Sequence, residues 1–207
     1  RSKSSAAAPS AARVVYNYYG GKQRFPMIAD DMRFTLRLAR DDRDLRAAQR
    51  LRYRVFVTEL GGTGDLVDHD AQLECDAFDP WFDHLLLIDE QRDAAAYDDV
   101  VGVYRLLPSD RLRQSGRFYS ETEYDLSALK ASGRRLLELG RSCVHPDYRG
   151  GTAMFHLWNA LADYVLERGI EVLFGVASFH GTDIAALTPS LAYLHHHHLA
   201  PPGLRVV

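Results

Sequence analysis

Residues 136–152 read Leu136-Leu137-Glu138-Leu139-Gly140-Arg141-Ser142-Cys143-Val144-His145-Pro146-Asp147-Tyr148-Arg149-Gly150-Gly151-Thr152. An apolar strand pattern ends in a Gly-rich turn, and a helical pattern opens at Thr152. Strict alternation puts Glu138 and Arg141 on opposite faces of that strand. Gly140, between them, is where a bulge can re-aim Arg141 toward the side of Glu138. Such a bulge also releases backbone N–H groups from the ladder, and released N–H groups can hold a developing oxyanion. The competing reading is a charge pair on an edge strand. In the turn, Arg149 stands beside two glycines just before a helix start, where free N–H groups favour an anion. The spacing matches neither the Walker loop nor the dinucleotide fingerprint. A plain structural turn is the alternative; the charged strand in front of it favours a phosphate site.

Working outward, Met154, Leu157, Trp158, Leu161 and Val165 fall on one face of a helix over residues 152–168, which Gly169 ends. Residues 171–179 read as a buried strand, 183–198 as a helix interrupted at Pro189, and 203–207 as the start of a strand, as if the chain were cut short. Toward the N-terminus, residues 33–39 alternate as a strand. A helix opened by Asp41 and Asp42 runs to Leu60 and is closed by Gly61-Gly62. An irregular acidic stretch with Glu74, Asp76 and Asp79 leads to strands over 84–89 and 100–107, joined around Asp98-Asp99. Phe118 and Tyr119 anchor the mixed segment before the strand that ends at Val144. This order predicts an α/β or α+β domain over residues 31–207, with a mixed central sheet flanked by helices. Residues 1–30, rich in Ala, Ser and Gly, read as a flexible arm.

Within the first helix, Leu45, Ala48, Val55 and Phe56 share a face, and Arg52 falls in the middle of it. A guanidinium there must be paired or face a cleft, since burying it alone is costly; from the helix alone, a structural ion pair leads. Of 207 residues, 46% are apolar and 26% charged, an ordinary globular balance, and a net charge of −3 supplies no basic field for nucleic acid. Apolar runs such as 85–88 are too short to cross a bilayer, and residues 1–10 lack the apolar core of a secretory signal. Two cysteines form no disulfide framework, which fits a reducing cytoplasm. Cys143, alone on a strand, reads as core rather than as a nucleophile. The run His195–His198 offers at most one pair on a helix face, so no metal is expected.

Several of these segments also look familiar. Val144-x-Pro146-x-Tyr148-Arg149-Gly150-Gly151 resembles the pyrophosphate-binding turn of the GNAT superfamily of acyltransferases. Leu51-Arg52-Tyr53-Arg54-Val55-Phe56, Asp76-x-x-Asp79, Arg105-Leu106-Leu107-Pro108 and Glu138-x-x-Arg141 resemble signatures of acyl-homoserine-lactone synthases. A longer match, including residues 116–121 and 139–157, is similar to bacterial ornithine N-acyltransferases of ornithine-lipid synthesis and runs from about residue 34 to 207. Two departures speak against a lactone synthase: Gly61-Gly62 stands where those enzymes place a Trp, and Gly140-Arg141-Ser142 where they have Ser-Arg-Phe.

The resemblance implies a GNAT-like fold that moves a 3-hydroxyacyl group from acyl carrier protein to the α-amine of L-ornithine, giving a lyso-ornithine lipid. It implies no bound cofactor, the donor being the acyl-phosphopantetheine of the carrier. Tyr148, Arg149, Gly150, Gly151, Thr152 and Ala153 would hold its phosphate. Aminolysis needs an uncharged amine, and Glu138 would accept its proton directly or through water. Backbone groups of Ser142, Cys143 and Val144 would face the oxyanion. Arg52, Arg105 and Arg141 are candidates for the acceptor's carboxylate or for orienting Glu138, Asp76 or Asp79 for its second ammonium, and Phe56 for the same pocket. Tyr193 would protonate the leaving sulfur, as a tyrosine on the last helix does in some GNAT enzymes. A cytoplasmic location follows, with peripheral contact to the inner membrane compatible with a lipid product. The competing functions are a lactone synthase that accepts S-adenosylmethionine, and a non-catalytic carrier-binding module.

Overall fold

In the computed structural model, residues 33–179 and 181–207 are described; the arm expected over residues 1–30 lies outside them. The elements run β1 (Phe34–Leu38), α1 (Asp42–Arg52), β2 (Val67–Asp68), β3 (Leu73–Glu74), β4 (Asp83–Asp89), β5 (Val100–Pro108), α2 (Leu112–Ser115), α3 (Ser127–Ala131), β6 (Leu136–Val144), α4 (Ala153–Arg168), β7 (Val172–Phe174) and α5 (Ile184–His198). Five strands form one sheet in the order β1-β4-β5-β6-β7, antiparallel except for the last pair. The expected mixed sheet flanked by helices is present.

Alternation along β4 shows why both faces are covered. Leu86 and Ile88 pack with Ala47, Ala48, Leu51 and Val55 on the α1 side. Leu85 and Leu87 point the other way, into a cluster with Leu157, Leu161 and Tyr164 of α4. A third cluster, around Phe118, Leu126, Leu129 and Leu136, folds the 112–131 segment against the end of the sheet. Asp41 caps α1 by accepting the Asp44 N–H, and acidic residues at the start and Arg50 and Arg52 at the end suit the helix dipole. The helix then widens into a π-helical turn, Tyr53–Glu59. Gly61 sits at φ +70°, and a Cβ on Gly62 would lie 2.6 Å from the Phe56 carbonyl oxygen, so both glycines are needed to close it.

Four sequence expectations change. The strand expected over 171–179 shrinks to β7, which pairs with β6 only from Leu136↔Val172 to Glu138↔Phe174. Gly175 still lies against the Leu139 backbone, where a Cβ would meet the carbonyl oxygen at 2.2 Å. From there β6 continues to Val144 with β5 along one edge alone among the described residues. The helix expected over 183–198 is not interrupted: α5 runs through Pro189, capped by Asp183, and none of its residues is buried. Residues 203–207 form no strand; Val207 instead exchanges backbone hydrogen bonds with Asp125 at 2.7 and 3.2 Å. On α4 the core face is Ala153, Leu157, Leu161 and Tyr164, while Met154 and Trp158 remain 41% and 50% exposed. Leu157, Leu161 and Val165 of the expected stripe do face the core, while Met154 and Trp158 lie at its solvent side.

Candidate active site

The bulge that Gly140 invites is present. Val103 pairs with Cys143 and Arg105 with Gly140, so Tyr104 alone opposes Arg141 and Ser142. Arg141 takes φ +47°, a left-handed conformation uncommon outside glycine. Its guanidinium does not turn to Glu138, as the sequence suggested. It lies 3.2 Å from Glu74 Oε1 and 3.7 Å from Asp76 Oδ2, and 5.4 Å from the centre of the Tyr119 ring.

Behind Arg141 is a buried ionic network. Arg52, with no exposed surface, donates from Nε to Glu74 (2.5 Å), from Nη2 to the Glu74 carbonyl (2.7 Å), and from Nη1 and Nη2 to Asp79 (2.7 and 3.0 Å). Gln49 also donates to Asp79. Arg105 donates to Asp76 at 2.6 Å and to Asp79 at 2.9 Å while lying 4.3 Å over the Phe82 ring. Burial alone would raise the Asp79 carboxyl, yet Arg52, Gln49 and Arg105 outweigh it and hold Asp79 well below the usual carboxylate range. Glu74, Asp76 and Asp79 thus face Arg52, Arg105 and Arg141, three charges against three.

Of the site residues read from sequence, Arg52, Arg105 and Asp79 expose almost no surface and sit inside this network. Phe56 is partly buried against the core cluster beside α1. Arg141, with 32% of its side chain exposed, and Asp76, with 18%, form the solvent-facing end of the network.

Glu138 is buried and fully engaged. It accepts the Tyr119 N–H at 2.8 Å, the Ser120 N–H at 2.6 Å and the Ser120 hydroxyl at 2.5 Å. Burial pushes its carboxyl above the ordinary value, and the hydrogen bonds from Ser120 and Tyr119, with the Arg105 charge, offset this only in part. The turn that embraces it is pinned by Phe118 in the core and by Glu121, which accepts the Phe118 N–H at 2.8 Å. Ser120 was not singled out in the sequence, where nothing ties an isolated serine to a strand 18 residues away.

Cys143 is buried and its thiol is pushed up to about 12 by desolvation, so a thiolate nucleophile is disfavoured there. Alkylation of the native protein with iodoacetamide at pH 8, read by peptide mass spectrometry, should therefore leave Cys143 unmodified; rapid labelling would show that this core opens. At the Gly-rich turn, Arg149 is spent elsewhere: it makes a two-pronged pair with Glu59 (2.6 and 2.7 Å) and donates to the Val144 carbonyl at 3.1 Å. Tyr148 donates its hydroxyl to Asp89, also held by Arg33. Gly150 is open, with φ +77°, and no side chain caps the N-terminus of α4 at Thr152 and Ala153, so the backbone N–H groups of this turn are free to face an anion. Tyr193 stands exposed on α5 with its ring against His197. Among the described residues no group of three or more His, Cys, Asp or Glu side chains is placed to hold a metal ion.

A mixed sheet whose fourth strand is paired on only one edge at its C-terminal half, followed by an uncapped helix, belongs to a recognisable class. Residues 51–159, just over half the chain, match the acetyltransferase (GNAT) domain. The chain belongs to that superfamily of acyltransferases and, within it, to the family of L-ornithine N(alpha)-acyltransferases. It is 65% identical to the L-ornithine N(alpha)-acyltransferase of Rhodobacter capsulatus over 179 residues, which are 86% of this chain and 69% of that protein. It is 41% identical to the enzyme of that name from Brucella abortus, over 78% of this chain and 58% of the relative. Among solved structures it is similar to the acyl-homoserine lactone synthases BjaI (TM-score 0.47, 23% identity, 73% of this chain and 63% of the other) and LasI (TM-score 0.49, 17% identity, 77% of each).

Proposed function

We propose that this protein transfers a 3-hydroxyacyl group from the phosphopantetheine thioester of acyl carrier protein to the α-amine of L-ornithine. The observation that carries the reaction class is the open edge of β6 lying beside a buried carboxylate of raised pKa. The acceptor is inferred from the name shared by its relatives. The amine nitrogen attacks the thioester carbon, the C–N bond forms, and the C–S bond breaks. Backbone N–H groups from Ser142 to Val144 face the oxyanion at the bulge. The amine proton passes through the Ser120 hydroxyl, which donates to Glu138, onto that carboxylate, and the same proton then returns to the departing thiolate, which leaves as the thiol. Arg141 pairs with the acceptor's carboxylate, being the one guanidinium of the network with substantial exposure, and Asp76 lies nearest for its second ammonium. The donor's phosphate rests on the N–H groups from Gly150 to Ala153. No helix of the described residues is long and apolar enough to cross a membrane; a lipid product makes peripheral contact with a bilayer a natural arrangement.

Mass spectrometry of a reaction with 3-hydroxyacyl carrier protein tests this, run with L-ornithine and, in parallel, with S-adenosylmethionine. An amide-linked acyl-ornithine is the expected product. An acyl-homoserine lactone would move the protein to the sister activity. No product from either acceptor would leave carrier binding without catalysis.

A further inference from the structure

We infer that Tyr119 positions Arg141 for the acceptor's carboxylate, and that Glu138 acts on the acceptor partly through this tyrosine. The inference rests on the reading of Arg141 given above. The two charged residues that share β6 do not touch; Tyr119 stands between them. Its N–H is held by Glu138 Oε2 at 2.8 Å, and its ring lies 5.4 Å from the Arg141 guanidinium. The same ring lies 5.7 Å from Arg105 and meets Phe78 edge-on at 5.5 Å, while Phe82 takes the Arg105 guanidinium at 4.3 Å. Two like charges are therefore kept near one another by the Asp76 carboxylate they share and by aromatic faces, which attract cations without neutralising them. Arg105 Nε is buried with no hydrogen-bond partner, so the aromatic faces supply much of its compensation on that side.

Arg141 has further reason to need such a guide. Its backbone is strained into the left-handed region, and its Nε–H approaches Glu74 at 3.2 Å without making a hydrogen bond. Its contacts with carboxylates are loose beside those of Arg52, which makes four hydrogen bonds. A guanidinium paired so loosely can still turn a face to an incoming carboxylate. What fixes its direction is the Tyr119 ring, whose place is set by Glu138 below and Phe78 beside it. The ring is required; the hydroxyl is not.

Steady-state kinetics on Tyr119→Leu and Tyr119→Phe, in parallel with Arg141→Met and the double variant, test the inference. Tyr119→Leu should raise KM for L-ornithine about two- to fivefold, the size of one partly exposed cation–π contact, and leave KM for the acyl donor unchanged. Tyr119→Phe should behave as the unmodified protein. In the Arg141→Met background, Tyr119→Leu should add no further loss, because both changes remove one interaction. An unchanged ornithine KM, an equal rise in donor KM, or additive losses with Arg141→Met would each overturn the positioning role. Absence of acyl-ornithine from the unmodified protein's reaction would instead overturn the functional reading, and the role of Tyr119 with it.

Discussion

Arg52→Met is expected to lower the stability of the domain by about 3–5 kcal/mol, the usual cost of removing one partner from a buried ion pair. The guanidinium is wholly enclosed, and its four hydrogen bonds satisfy Glu74 and Asp79 in a place water does not reach. Met fills the volume but returns no charge, so two buried carboxylates lose their main counter-ion. Arg52→Lys should do little better, since one ammonium cannot span Glu74 and Asp79 as the planar fork does. The pH dependence separates this from a packing defect. In the unmodified protein Asp79 is depressed, so its contribution is present above the ordinary carboxylate pKa and is lost as pH falls through the lower folded value. Without Arg52, burial is opposed only by Gln49 and Arg105, and Asp79 moves up from its depressed value. Its penalty is then absent at acid pH and appears as pH rises through the raised value. Urea unfolding at pH 7 and pH 4.5 should therefore show the larger loss at pH 7. A variant as stable as the parent at both pH values would mean that the network does not hold the fold.

How much of this was legible beforehand depends on sequence distance. Arg52 announced itself because helical periodicity placed it on an apolar face, and the ion pair that such a position demands is there, with Glu74 and Asp79 only 22 and 27 residues away. Gly140 announced the bulge, since it is a glycine lying between two charges that a strand would otherwise separate. The direction Arg141 takes was not legible. It depends on Tyr119, in an irregular segment with no period to read, and the hydrogen bonds that fix that segment run to Glu138 on a distant strand as well as to its own neighbour Glu121. The pairing of Arg149 was not legible for a similar reason: its partner Glu59 is 90 residues distant, at the end of a π-helical turn that no helical periodicity foretells. The motifs identified the family because they carry the buried charges, while the division between scaffold and contact required burial, which a sequence does not state.

Glu138→Gln should lower kcat/KM by about 10²–10⁴, the range for loss of a general base, while the domain still folds. The isostere keeps one carbonyl oxygen to accept the Ser120 N–H and hydroxyl, but places an amide NH2 against the Tyr119 N–H or against Ser120 in the flipped rotamer. One buried donor then lacks an acceptor, a cost of about 1–3 kcal/mol. The rate should change shape with pH as well as size. Burial raises the Glu138 carboxyl, so the acid limb of the unmodified enzyme falls above the ordinary glutamate pKa. That limb should vanish in the Gln variant, leaving only the ionisation of the acceptor amine. Ser120→Ala provides the companion measurement, because it removes the hydroxyl while two backbone N–H groups still hold Glu138 in place. If the proton travels through that hydroxyl, Ser120→Ala should lose a comparable part of kcat with little change in KM for ornithine. Full activity in Ser120→Ala with a dead Glu138→Gln would send the proton by another path. A Glu138→Gln variant impaired only in ornithine KM would assign the carboxylate wholly to holding Tyr119, and would require a different base.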